Sequence, residues 1–144
     1  MTGVGIDPSA ESALRRLAEA AYPHEGCGVL IGRYGSGGMH IDEVTSARNM
    51  WTERARDRYD LDPADMLAAS NRARSQGADV VGIWHSHPDH PARPSQFDTD
   101  RAWTDYAYLI VNTTERDSGE LNAFMLVGEH QSFEQVHLNA AERA

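Results

Sequence analysis

Residues 80–98 leave the chain few ways to fold. Val80 to His87 carries Val80, Val81, Ile83 and Trp84 at its centre and reads as a strand. It runs into residues 88–94, Pro-Asp-His-Pro-Ala-Arg-Pro, which hold three of the six prolines. Proline locks φ and removes a backbone donor, so this stretch is neither helix nor strand interior. The strand must end in a stiff turn, with His85-Ser86-His87-Pro88 at its tip. Side chains two apart in a strand share a face, so His85 and His87 offer two imidazoles to one side. A short helix is predicted from Ser95 to Trp103, which puts Asp98 one turn inside it.

The rest of the chain reads as alternating helices and strands. Asp7-Pro8 starts a helix, with Asp at the N-cap and Pro at the first helical position. Ala10, Leu14, Leu17, Ala18 and Ala21 then share one face, and Pro23 ends it. Cys27 to Arg33 is a buried strand, Gly35 to Gly38 a turn, and Met39 to Ser46 the returning hairpin partner. Met50 to Arg58 is polar and irregular. Asp62-Pro63 opens a second helix that stops at Gly77. Tyr106 to Asn112 and Leu121 to Val127 are strands joined by a turn around Ser118-Gly119, and Phe133 to Leu138 is a final strand. The expected class is α/β (α+β), a central sheet flanked by helices. Its 144 residues suit a single domain, 1–144, with a frayed tail from about 140.

Charge narrows the function. There are 22 acidic and 13 basic side chains, a net charge of −9, and every basic residue is Arg. Nucleic-acid affinity rests largely on phosphate neutralisation, so no nucleic-acid partner is expected. No membrane partner is expected either, since anionic surfaces repel such a chain and no apolar run nears the ~20 residues of a spanning helix. The start of the chain lacks a signal-peptide pattern, and the one cysteine, Cys27, fits a reducing cytoplasmic location.

Two same-face imidazoles and a helix-start carboxylate suit one metal ion. Two His and one carboxylate leave a fourth tetrahedral position open, the pattern of catalytic rather than structural zinc. A hydrolytic site also needs a base for its water, and Glu25, between Pro23 and Gly26-Cys27-Gly28, is the candidate. The glycines on either side of Cys27 are expected to let backbone approach the site. Other readings stand beside these. A His-x-His pair occurs in ordinary strands, Ser95-x-x-Asp98 is also a capping box, Glu25 taken by itself reads more often as an exposed loop acid, and His90 is expected as a solvated loop residue. Cys27 in an apolar strand reads as a small core residue rather than a nucleophile.

The segments Pro23-His24-Glu25-Gly26-Cys27-Gly28-Val29-Leu30-Ile31-Gly32, His85-Ser86-His87-Pro88 and Ser95-x-x-Asp98 together resemble the JAMM (MPN-plus) zinc metallopeptidase family, in its compact prokaryotic branch. The resemblance extends from the first helix to Val127. It implies a curved mixed β-sheet flanked by helices, related to the cytidine deaminase architecture. It implies that His85, His87 and Asp98 hold one zinc ion per chain, that Glu25 is the general acid/base and that Ser95 helps stabilise the oxyanion.

The implied substrate is an amide bond at the C-terminal tail of a small ubiquitin-like or sulfur-carrier protein. Such a tail would enter extended and pair with a strand edge near the site. Residues 50–58, Trp51 included, are read as either a substrate-facing flap or a polar connector. Hydrolysis of a small-molecule or peptide amide is the main alternative, and a non-catalytic MPN-type scaffold a further one. Zinc deaminase chemistry needs His-x-Glu and Pro-Cys-x-x-Cys, which the sequence lacks. Nucleic-acid-associated relatives carry His-Asn-His-Pro, not His-Ser-His-Pro.

Overall fold

Both Asp-Pro pairs start helices, but only one caps its helix with its own side chain. The structure is a computed structural model and describes residues 3–36, 38–51, 59–103, 105–127 and 132–140. In helix α2 (Pro63–Ser75) the Asp62 carboxylate accepts from the Ala64 N–H at 2.9 Å. In helix α1 (Pro8–Ala21) Asp7 makes no such bond. Its carboxylate lies instead 2.7 Å from Nε2 of His40, a tertiary contact in place of the expected cap. Helix α1 buries Ala10, Leu14 and Ala18, the face read from the spacing. Helix α2 is followed by Gly77 at φ +67, a left-handed position that glycine adopts without strain.

The strands are β1 (Gly3–Ile6), β2 (Cys27–Gly35), β3 (Gly38–Ala47), β4 (Asp79–Pro88), β5 (Ala107–Thr113), β6 (Ser118–Val127), β7 (Ser132–Val136) and β8 (Leu138–Ala140); helix α3 (Gln96–Arg101) lies between β4 and β5. They form one sheet in the order β7-β6-β5-β4-β2-β3-β1-β8. It is mixed: β4 and β5, β1 and β3, and β1 and β8 pair in parallel, the others antiparallel. The helix between β4 and β5 provides the crossover that a parallel pair requires.

Three expectations need correction. Strand β1 was not foreseen, because four residues with two apolar side chains carry too little periodicity; burial of Val4 and Ile6 creates it. The turn expected at Ser118-Gly119 falls earlier, and both residues open β6. The final strand is two strands, with only His137 between them. Strand β7 pairs with β6 and β8 with β1, at opposite ends of the strand order, so one short segment bridges the two edges and curls the sheet. Of the expected frayed tail, Ala140 belongs to β8, and 141–144 lie outside the described residues. Among the described residues no helix is long and apolar enough to cross a membrane.

The curled sheet encloses α1. Its Leu14 and Ala18 pack with Leu30, Ile41, Trp84 and Leu109 in one core cluster. On the other face, Ala69 and Ala73 of α2 rest on Val29 and Ile31. Trp84 lies across Gly28 and donates its indole N–H to the Thr45 carbonyl at 2.9 Å. A Cβ at Gly28 would collide with that carbonyl and with the indole nitrogen. Gly28→Ala should therefore destabilise the protein by about 1–3 kcal/mol, the usual cost of overpacking a filled core. Equilibrium urea unfolding measures this; unchanged stability would contradict the packing described.

Candidate metal centre

Strand β4 lies between β2 and β5, and its alternation sorts the central motif. Trp84 faces the α1 core, as does the Oγ of Ser86, which accepts from the Gly26 N–H at 2.8 Å. His85 and His87 face the other way, opposite Cys27 of β2 and beside Ile110 and Asn112 of β5, and both are buried. The glycines around Cys27 therefore do not make room at the imidazoles, as the sequence implied. They make room for Trp84 on the far face, where Cβ atoms at Gly26 and Gly28 would meet its indole.

Beyond the proline turn, Ser95 caps α3 with a full capping box. Its Oγ accepts from the Asp98 N–H at 3.0 Å, and its N–H donates to Asp98 Oδ2 at 2.8 Å. The same Oδ2 lies 3.2 Å from Nε2 of His85 and 3.2 Å from Nε2 of His87, and the two nitrogens are 3.1 Å apart. The capping box and the approach to the imidazoles, alternative readings of Asp98 in the sequence, share one atom, Asp98 Oδ2. Glu25 is buried with only 3% exposure, and a carboxylate oxygen lies within 4.8 Å of ligand nitrogens of both His85 and His87.

The protons available to this cluster limit what it can hold. His87 Nδ1 lies 2.8 Å from the Pro91 carbonyl, which can only accept. In the neutral ring the proton is therefore on Nδ1, and Nε2 presents a lone pair. Burial favours the neutral form of His85 and lowers its pKa despite the opposing Asp98 charge. Burial also opposes ionisation of Asp98, but His85 beside it and the hydrogen bond from the Ser95 N–H hold its carboxyl well below the usual range. With both rings neutral, the two imidazoles and the carboxylate have at most one proton to share among three mutual contacts. Such an electron-rich triangle suits a cation. Its 3.1–3.2 Å edges are close to the roughly 3.3–3.4 Å edge of a tetrahedron with Zn–N bonds of about 2.0–2.1 Å. The Pro91 carbonyl is the outer partner that orients such a ligand ring.

Aromatic rings flank the imidazoles. Tyr59 stacks on His85 with centroids 4.4 Å apart, and His90 stacks on His87 at 4.3 Å. His90 is thus packed against the site rather than simply solvated. Burial first, and the Asp98 charge second, push the Tyr59 phenol well above its ordinary pKa, so it stays neutral. Tyr59 also lines an apolar cavity of about 320 Å³ with Leu61, Met66, Ile83, Trp103 and Tyr108. Sequence reasoning missed Tyr59, since one aromatic after a polar segment carries no periodic signal. Of the expected flap, 52–58 lie outside the described residues; Trp51 meets Phe97 of α3 edge-on at 6.2 Å. Pairing of β4 with β2 ends at His85 and Cys27, whereas its pairing with β5 continues to Pro88 and Thr113.

Residues 7–127 match the family described as prokaryotic homologs of the JAB domain. The chain is 37% identical over 108 residues to a desampylase of Haloferax volcanii, which covers 73% of this chain and 74% of the relative. It is 32% identical over 119 residues to a CysO-cysteine peptidase of Mycobacterium tuberculosis, covering 81% of this chain and 77% of the relative. A solution structure of a Desulfitobacterium hafniense protein shares the fold at a TM-score of 0.82 and 24% identity, covering 97% of this chain and 94% of the other. The chain belongs to the prokaryotic JAB-domain family, the JAMM-type proteins that its Glu25, His85-Ser86-His87-Pro88 and Ser95-x-x-Asp98 segments resemble.

Proposed function

We propose that this protein is a zinc-dependent peptidase that cleaves an amide bond at the C-terminal tail of a small ubiquitin-like or sulfur-carrier protein in the cytoplasm. His85, His87 and Asp98 hold one zinc ion per chain, Glu25 is the general acid/base and Ser95 assists at the oxyanion. The observation that carries this reading is the triangle of two Nε2 atoms and Asp98 Oδ2, with the Glu25 carboxylate beside it. The relatives named desampylase and CysO-cysteine peptidase support the substrate class.

Zinc bound there supplies Lewis-acid chemistry, polarising a carbonyl and making water acidic enough to attack near neutral pH. Glu25 takes the proton from the attacking water and returns it to the leaving amine, so no covalent acyl-enzyme is needed. Its burial keeps bulk water from competing for that proton. The Ser95 hydroxyl uses its oxygen as an acceptor in the capping box and keeps its proton to donate to the charge that develops on the carbonyl oxygen. The apolar cavity beside Tyr59 gives the tail a place to lie next to the reacting bond.

Metal analysis of the purified protein should find about one zinc per chain. His85→Ala, His87→Ala and Asp98→Ala should each lose it, whereas Glu25→Gln should keep it; full occupancy in the first three would remove the assigned ligands. Against a ubiquitin-like carrier extended beyond its C-terminal diglycine, Glu25→Gln should lower kcat by about 10²–10⁴-fold. Wild-type turnover in that variant would remove Glu25 from its role.

Cys27 serves as a control on the reaction class. Burial first, then the charges of Glu25, Asp60 and Asp65, push its thiol up to about 12. At pH 8 only about 10⁻⁴ of it is thiolate, the reactive form. Iodoacetamide should leave Cys27 unlabelled in the folded protein, label it in urea and leave turnover intact. Rapid labelling with loss of turnover would revive a thiol mechanism.

A further inference from the structure

The Glu25–Gly26 peptide is held at both of its polar ends. Its N–H donates to Ser86 Oγ at 2.8 Å, and its C=O accepts from Asn49 Nδ2 at 3.2 Å. Ser86 also donates its own N–H to the Gly26 carbonyl at 3.0 Å. Ser86 belongs to β4, between the two histidines. Asn49 belongs to no named strand and follows β3.

The other end of the Asn49 carboxamide is committed too. Its Oδ1 accepts from the Trp51 N–H and from the Asp60 N–H, each at 3.0 Å. Backbone bonds reinforce this neck: Met50 N–H to the Asp60 carbonyl at 2.8 Å, and Asp62 N–H to the Arg48 carbonyl at 3.0 Å. The amide orientation is fixed by chemistry, because two N–H groups require an acceptor and a carbonyl requires a donor. One side chain thus joins both ends of the 51–60 segment to the residue proposed as general acid/base. The same ends carry Tyr59, stacked on His85, and Trp51, against Phe97 next to Asp98.

We infer that Asn49 is a positioning residue for Glu25. Its carboxamide sets the plane of the Glu25–Gly26 peptide from one side while Ser86 sets it from the other. That plane fixes where the Glu25 side chain leaves the backbone, and so how its carboxylate meets the water. Asn49 touches neither His85, His87 nor Asp98 through any of these bonds, so its effect falls on proton transfer rather than on metal retention. The inference rests on the reading of Glu25 as general acid/base. A misplacement of about 1 Å at a reacting group costs on the order of 10²-fold in rate.

Asn49→Asp separates the two jobs. A carboxylate oxygen still accepts from Trp51 and Asp60, but the second oxygen has no proton for the Glu25 carbonyl. Asn49→Ala removes both. With the extended ubiquitin-like carrier as substrate, both variants should lose about 10–10²-fold in kcat, with KM within about twofold of wild type and full zinc content. Amide hydrogen exchange should show Trp51 and Asp60 still protected in Asn49→Asp and unprotected in Asn49→Ala. Wild-type kcat in Asn49→Asp would overturn the inference, because the neck alone would then account for any loss in Asn49→Ala. Loss of zinc in both variants would overturn it as well, placing the effect at the metal ligands. Glu25→Gln in the same assay tests the underlying reading separately: normal turnover there would remove Glu25 as the acid/base, whereas a slow Glu25→Gln beside a normal Asn49→Asp would remove Asn49 alone.

Discussion

The pairing of β4 with β2 on one side and β5 on the other is the constraint on which the rest depends. It fixes the alternation of residues 83–88, and one slip in register would exchange the two faces. With the observed register Trp84 fills the space over Gly28 inside the curl around α1, while His85 and His87 emerge on the α2 side. The glycines of β2 therefore serve the site at one remove. They admit the indole that keeps β4 in register, and the register aims the imidazoles.

The proline turn has two consequences. It ends β4, and it returns the Pro91 carbonyl to His87, which selects the ring tautomer with its Nε2 lone pair inward. The capping box of α3 is used twice in the same way. One Asp98 oxygen accepts from the Ser95 N–H and completes the triangle with both imidazoles. A buried carboxylate without such partners would take up a proton; here His85 beside it, with the Ser95 N–H, holds it ionised, a form that suits a cation. Helix initiation and the approach of Asp98 to the two imidazoles are therefore inseparable.

Legibility followed the range of the interaction. His85, His87 and Asp98 were readable because strand alternation and a helix-start signal are local, and both survive in a string of letters. Helices α1 and α2 were readable from Asp-Pro starts and apolar spacing. Asp7 shows where this ends: it has the right residue type for a cap, yet its carboxylate turns to His40, because a tertiary partner competes with the local one. Strand β1, the division of 132–140 between two sheet edges, the stacking of Tyr59 on His85 and the bonds of Asn49 to Glu25, Trp51 and Asp60 join distant segments, and no periodicity marks them.

From residue order alone came most of the elements, the two same-face imidazoles, the helix-start carboxylate and the excess of acidic over basic side chains. Those properties depend on neighbours within a few positions. The tertiary structure decided that Glu25 stands within 4.8 Å of His85 and His87, that Gly26 and Gly28 face Trp84 rather than the site, and that one asparagine ties a distant segment to the Glu25 peptide. These follow from which strands become neighbours, and that is set by burial of Trp84, Leu14 and their partners across the whole sheet, not by any stretch of sequence read on its own.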